Sequence, residues 1–291
     1  MQRRTAGAAL AAVVAGSLLG CSAPFPPVHA APDGRAPTVF AHRGASRQAP
    51  ENTRAAVRRA HELHITWIEN DVQRTRDGAL VVIHDPTLAR TTDVEQVFPG
   101  RGPWRVGDFT LAEIRRLDAG SWFGSRFKGE RVPTLQQYLT LLDRDHQGLL
   151  LELKQPELYP GIERQTLDVL DRAGWLDPAH VRDRLVVQSF DAAALRTTHR
   201  LRPAVRIGFL GKPPVSRLKE YASFTDMINP DHRGLTRDYV VHVHRLKGPH
   251  GAPLRLNAWT VDDGPTAARL VALGADGIIT DRPDVMRARH W

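Results

Sequence analysis

The stretch TVFAHRGASRQAPENTRAAVRRAH, residues Thr38–His61, joins a short apolar run to a helix-period segment. Thr38–Ala41 reads as a buried strand. His42 and Arg43 follow it at once, and a Gly- and Pro-punctuated turn leads to a helix over Thr53–His61. This unit, a strand ending in chargeable side chains and followed by a helix, recurs along the chain. Further strands are predicted at Trp67–Val72, Leu80–Ile83, Leu149–Leu153, Leu185–Gln188, Val205–Leu210, Met227–Asn229, Arg255–Trp259 and Gly277–Thr280, with helices between most of them. Alternation of this kind points to α/β architecture, and about 250 residues of it is the size of a TIM (β/α)8 barrel. The barrel is expected to be somewhat irregular. Nine strands are one too many, and Gln73–Gly78 is too short for a crossover helix, so Leu80–Ile83 is either a hairpin arm or a local irregularity. The segment about 86–132, after the His84-Asp85 strand end, reads as an insertion over the barrel mouth.

The chain has 291 residues and a formal charge of +8, with 42% hydrophobic and 25% charged residues. That is the composition of an ordinary globule with room for one large domain. The basic balance is spread along the whole chain and no nucleic-acid module is visible, which excludes nucleic acid as the expected partner. Residues 1–37 read as a leader and tether, and 38–291 as the folded domain. Arg3 and Arg4 precede a small apolar run that ends at Gly20, the pattern of a secretory signal. Two exits follow: Leu18-Leu19-Gly20-Cys21 has the form of a lipoprotein signal, and Val28-His29-Ala30 that of ordinary cleavage. Cys21 is the single cysteine, which favours a lipid anchor there and excludes an intrachain disulfide. The expected location is extracytoplasmic, on the cell surface or secreted, with no other membrane contact. Oligomeric state is not legible.

The polar residues interrupt strands in a pattern. In Trp67-Ile68-Glu69-Asn70-Asp71-Val72, Glu69 and Asp71 are two apart and so share a face, leaving Asn70 towards the helix layer. Two like charges within a sheet repel and lose hydration unless something positive lies between them. A divalent cation satisfies them, and carboxylate oxygens suit Ca²⁺ or Mg²⁺. Glu152 and Lys154 likewise share one face after the apolar run Leu149–Leu151. His42 and His84 each end an apolar strand. If all these strands belong to one barrel, the groups converge at its C-terminal mouth. His242 and His244 fall on a predicted helix at a spacing that does not share a face, which argues against a second metal site.

The blocks AHRGASRQAPENT, WIENDVQRTRDGALVVIHD, LLLELK, AWTVDD and DGIITDRP resemble the glycerophosphodiester phosphodiesterases from about Val39 to Pro283. The resemblance implies a TIM barrel that hydrolyses small-molecule glycerophosphodiesters to an alcohol and sn-glycerol 3-phosphate, through a cyclic phosphate formed by the substrate's own hydroxyl. It implies one divalent cation on Glu69, Asp71 and Glu152, with Ca²⁺ favoured by the extracytoplasmic setting and Mg²⁺ the alternative. His42 and His84 become the acid–base pair, Arg43 and Lys154 the phosphate binders, and Trp259 an apolar wall beside the glycerol. Asn52 is expected to cap the helix that starts at Thr53, with Glu51 as an organising partner. Competing expectations are a phospholipase D-like or phosphatidylinositol-specific enzyme of related architecture, and a non-catalytic lipoprotein that binds phosphodiesters. Head-group preference rests on the insertion and is not legible.

Overall fold

The computed structural model describes residues Ala36–Ala288. The leader, the tether up to residue 35 and Cys21 lie outside the described residues, as do the last three. Nine strands form one sheet: β1 Thr38–Ala41, β2 Trp67–Arg74, β3 Leu80–Val82, β4 Gly148–Leu153, β5 Leu185–Ser189, β6 Arg206–Leu210, β7 Met227–Asn229, β8 Arg255–Ala258 and β9 Gly277–Thr280. Their order is β1-β9-β8-β7-β6-β5-β4-β2-β3, and β1 also pairs with β2. Eight parallel strands therefore close into a barrel, and β3 is left over.

β3 is the hairpin arm. It runs antiparallel to the end of β2, with Val72 opposite Val82 and Arg74 opposite Leu80. The tight turn between them is held by Thr75 Oγ1, which accepts from Ala79 N and donates to Asp77. β2 thus overshoots the barrel rim, and β3 carries the chain back down to it. His84 reaches the mouth by this descent, not at the end of a barrel strand.

Helices stand where polar caps meet apolar spacing. Leu135–Arg144 buries Leu135, Tyr138, Leu139 and Leu142, an i, i+3, i+4, i+7 stripe, behind a Thr134–Gln137 capping box. The first helix is Arg54–Glu62, and its cap is Thr53, which accepts from Ala56 N. Asn52 does not cap it, contrary to the sequence expectation. The main core lies between strands and helices and includes Ile68, Leu149, Leu151 and Leu170. A smaller layer of Phe40, Leu150, Val186, Met227 and Ile279 fills the lower barrel interior, which leaves the upper interior for polar groups. The insertion is more than a loop. Short helical turns at Val94–Val97, Val106–Asp108 and Leu111–Ile114 fold around their own core of Leu88, Val106, Phe109, Ile114 and Leu117.

Candidate active site

The barrel's parity brings the predicted residues together. Glu69 and Asp71 on β2 and Glu152 on β4 point inward, and one oxygen of each lies within 4.8 Å of the others, all buried. Asp71 sits directly beside Glu152 in the β2–β4 register. Two cations answer these acids. Lys154 Nζ is 2.9 Å from Glu152 Oε1 and 3.5 Å from Asp71 Oδ1. Arg43 Nε is 3.3 Å from Asp71 Oδ2, and the Arg43 backbone N–H donates to Glu69 Oε2 at 3.0 Å. Three carboxylates face two cations, and Asp71 Oδ1 is buried without a hydrogen bond. Clustered hard oxygen donors with surplus negative charge and one unsatisfied oxygen fit a divalent cation.

The same crowding splits the titration of the acids. Burial, then Asp71 and Glu152, push Glu69 well above the usual carboxylate range. Burial and the neighbouring Asp71 push Glu152 up to about 7. Burial opposes ionisation of Asp71 too, but Arg43, Lys154 and the Asn52 amide overcome it and hold that group well down. Asn52, with a left-handed backbone at φ 60°, donates Nδ2 to Asp71 Oδ2 at 2.8 Å. Its work is to fix an acid rather than a helix end.

Each histidine is backed by a carboxylate that sequence reasoning did not single out. His42 Nδ1 is 2.6 Å from Asp281 Oδ1, which also accepts from Ser46 Oγ. His84 Nδ1 is 2.6 Å from Asp85 Oδ1. Burial would raise Asp281, but its bond to His42 holds it below the ordinary range. Asp85 is held at about 2, against its burial, by Arg90 and His84. Ionised carboxylates only accept, so each Nδ1 carries a proton and each Nε2 is free to exchange one. His42 Nε2 lies 3.9 Å from Glu69 Oε2, facing the acids. Burial lowers His84, which favours its neutral form.

The supports continue outward. Gln73, inward on β2, lays its Nε2 against the carbonyls of Ile83, His84 and Asp85 and so pins the descending segment. Glu51 organises the loop as expected: it accepts from Arg43 at 3.0 Å and from Arg90 at 2.7 and 2.8 Å. Arg90 also holds Asp85, which ties the insertion to both histidine-bearing segments. Across the barrel interior an amide chain runs in one direction. Asn257 Nδ2 donates to Asn229 Oδ1 at 2.9 Å, Asn229 Nδ2 to Gln188 Oε1 at 2.9 Å, and Gln188 Nε2 to Glu69 Oε1 at 3.3 Å. Trp259 Nε1 donates to the Asn229 carbonyl, and its ring meets Phe190 edge-on at 5.7 Å. Phe190 is 52% exposed, a large apolar surface at the mouth. His42, Arg43, Glu69, His84, Glu152, Lys154, Phe190 and Trp259 all line one cavity of about 100 Å³. Every site residue expected from sequence is therefore in one place. His244 and His250 lie elsewhere, paired with Asp276 and Asp226.

Comparison with known proteins agrees. The sequence profile of the glycerophosphoryl diester phosphodiesterase family matches residues 42–285. A glycerophosphodiester phosphodiesterase of Caldanaerobacter subterraneus is 36% identical over 257 residues, covering 85% of this chain and 95% of that protein. One of Bacillus subtilis is 34% identical over 268 residues, covering 85% and 84%. Among solved structures, an Oleispira antarctica phosphodiesterase in complex with the product sn-glycerol-3-phosphate superposes with a TM-score of 0.72, at 30% identity over 85% of this chain and 94% of that one. The closed barrel, the acidic triad between two carboxylate-backed histidines and these relatives agree on one assignment: the chain belongs to the glycerophosphodiester phosphodiesterase family and is an enzyme of that class.

Proposed function

We propose that this enzyme hydrolyses glycerophosphodiesters to an alcohol and sn-glycerol 3-phosphate with the help of one divalent cation on Glu69, Asp71 and Glu152. The observation that carries this reading is the buried acidic triad, within 4.8 Å, flanked by Arg43 and Lys154 and faced by His42. Ca²⁺ is favoured, and Mg²⁺ is the alternative. A cation bound there supplies positive charge against the phosphoryl oxygens.

The chain's own residues do the rest. Arg43 and Lys154 bind the anionic phosphate, and their charges are held in place by Glu51 and Glu152. Trp259, anchored through its indole N–H, forms the apolar wall beside the glycerol. In the first step one imidazole takes, through Nε2, the proton of the substrate's own attacking hydroxyl while the other gives a proton to the leaving alcohol oxygen. Water then opens the resulting cyclic phosphate to sn-glycerol 3-phosphate with the two roles exchanged. Each contribution is worth about 10²–10⁴-fold. Asp281 and Asp85 fix the tautomers so that Nε2 faces the reacting atoms in both.

The test is a glycerophosphocholine assay that measures sn-glycerol 3-phosphate with EDTA, then with Ca²⁺ or Mg²⁺ restored. Loss with chelator and recovery with the ion supports the reading. A lasting cyclic phosphate product points to a lyase instead, and activity unaffected by EDTA removes the cation. His42→Ala abolishes turnover and leaves the fold intact, read by circular dichroism. The leader reading extends the proposal to location: the enzyme works outside the cytoplasm, held by a lipid on Cys21. Labelled palmitate incorporated by the wild type and not by Cys21→Ala supports that anchor; label in both, or in neither, rejects it.

A further inference from the structure

A second cavity, charged at its sides but mostly apolar in lining, opens at the far end of the barrel. It holds about 370 Å³ and is lined by Arg206, Met227, Leu254 and Arg255, with His244 and His250 at its edge. Arg206 and Arg255 are the first residues of β6 and β8, so the cavity lies at the N-terminal ends of parallel strands. The catalytic groups sit at the other ends. Four residues of β8 and its continuation separate Arg255 from Trp259, about 13 Å.

Parity turns both arginines inward. Arg255 is in register with Met227, which belongs to the lower interior layer, and Gly208 pairs with Met227 two residues after Arg206. β6 and β8 are separated by β7 alone, and Arg206 lies two residues before the level of Arg255, so their backbones are about 12 Å apart at these residues. Two arginine side chains can close over one oxyanion across that span. Both residues are half-buried, and among the described residues neither guanidinium makes a hydrogen bond or ion pair. Two acids, Asp226 and Asp276, line the same cavity, and each is bonded to a backbone N–H and to one of its histidines: Asp226 to Ile207 N and His250, Asp276 to Leu256 N and His244. Neither carboxylate lies within ion-pair distance of Arg206 or Arg255, so the two guanidinium groups share a half-buried cavity with no bonded acceptor. The volume is that of a small-molecule site, and Met227, Pro253 and Leu254 give it an apolar wall.

We propose that this cavity is a ligand site, separate from the catalytic mouth, for a small organic anion whose phosphate or carboxylate lies between Arg206 and Arg255 and whose apolar body packs on Met227 and Leu254. Guanidinium groups suit both oxyanions by bidentate contact.

The experiment uses phenyl phosphate and benzoate as probes of the whole chain. The chain has three methionines, so methyl-labelled methionine gives a sparse spectrum, in which Met227→Leu assigns the reporter. The expected result is a saturable shift of the Met227 methyl signal with at least one probe, and an unmoved Met286. Thermal melting of the wild type and of Arg43→Gln rises with that probe, and the rise disappears in Arg206→Gln and Arg255→Gln. A shift with both probes leaves the class as it is; a shift with one alone narrows it to phosphate or carboxylate. An unmoved Met227 signal in the wild type overturns the proposal without recourse to any variant. So does a melting response kept in both arginine variants, or one lost only in Arg43→Gln.

Discussion

Gly208 lies on β6, two strands away from the nearest acid of the triad, and touches no catalytic group. A Cβ there would sit 2.8 Å from Asn229 Nδ2, a distance real side chains do not adopt. Asn229 is the middle of the amide chain, so it would have to move, and both of its 2.9 Å bonds would go with it. A buried amide left unsatisfied costs about 1–3 kcal/mol. Two lost bonds make about 2–6 kcal/mol, which for a chain this size lowers the melting temperature by roughly 4–24 °C. The disturbance then reaches the triad. Gln188 loses its anchor, Glu69 Oε1 loses its fixed donor, and cation affinity falls about 10–100-fold, the usual effect of removing a partner that orients a ligand. Calorimetric titration with Ca²⁺ reads the affinity and scanning calorimetry the stability. Gly124→Ala, whose Cβ meets nothing within 4 Å, is the control and stays within about 0.5 kcal/mol of wild type. A Gly208→Ala protein with wild-type melting and wild-type Ca²⁺ affinity refutes the claim that the amide chain holds Glu69.

Asp281→Asn removes the negative charge beside His42 Nδ1 and offers an amide donor that can select the other tautomer; kcat falls at least about 100-fold while KM and melting temperature hold, whereas a merely structural Asp281 would lower the melting temperature. Asn70→Leu keeps the side-chain shape and removes two buried amide atoms that have no hydrogen bond, so stability rises by about 1–3 kcal/mol, read by denaturant unfolding. Glu152, raised from 4.5 to about 7, favours folding of the cation-free protein below pH 4.5, and that contribution is lost as pH rises through 7. Cations need the ionised form, so the melting shift produced by Ca²⁺ grows from pH 5 to pH 8; a shift independent of pH contradicts the assignment of Glu152 as a ligand.

The acids and histidines were legible because strand parity has period two and needs no knowledge of neighbours. Spacing alone pairs Glu69 with Asp71 and Glu152 with Lys154 on shared faces, and the family resemblance supplied their roles. What needs register was hidden. Gln188, Asn229 and Asn257 are single polar residues on three strands, and they become a chain only when β5, β7 and β8 are aligned around the barrel. Asp281 is 239 residues from His42 and meets it because β9 closes against β1. His84 lies in the same cavity as the other expected groups and reaches it along the antiparallel arm, one of the two routes the sequence left open, with Gln73 holding it at the rim. Asn52 and Thr53 are both good caps by composition, and the left-handed backbone of Asn52, which turns its amide to Asp71, decides between them. The insertion's core escaped notice because its apolar residues stand in turns too short to show a period.

The two cations that face the triad divide the acids unequally, and this division has a consequence for the chemistry. Asp71 takes contact from both Arg43 and Lys154 and stays ionised, whereas Glu69 has a backbone N–H, an amide and the His42 ring at 3.9 Å but no Lys or Arg side chain, and Glu152 has Lys154. Arg43 and Lys154 are also the groups assigned to the substrate phosphate. A phosphate that draws them away from Asp71 and Glu152 leaves those carboxylates short of positive charge, and a cation bound to the triad makes up the shortfall. Substrate and cation should therefore bind with positive coupling, each tightening the other by the same factor. Arg43→Gln weakens substrate binding and must also weaken that coupling, whereas a substitution at Trp259, which touches neither charge, lowers substrate affinity and leaves the coupling intact.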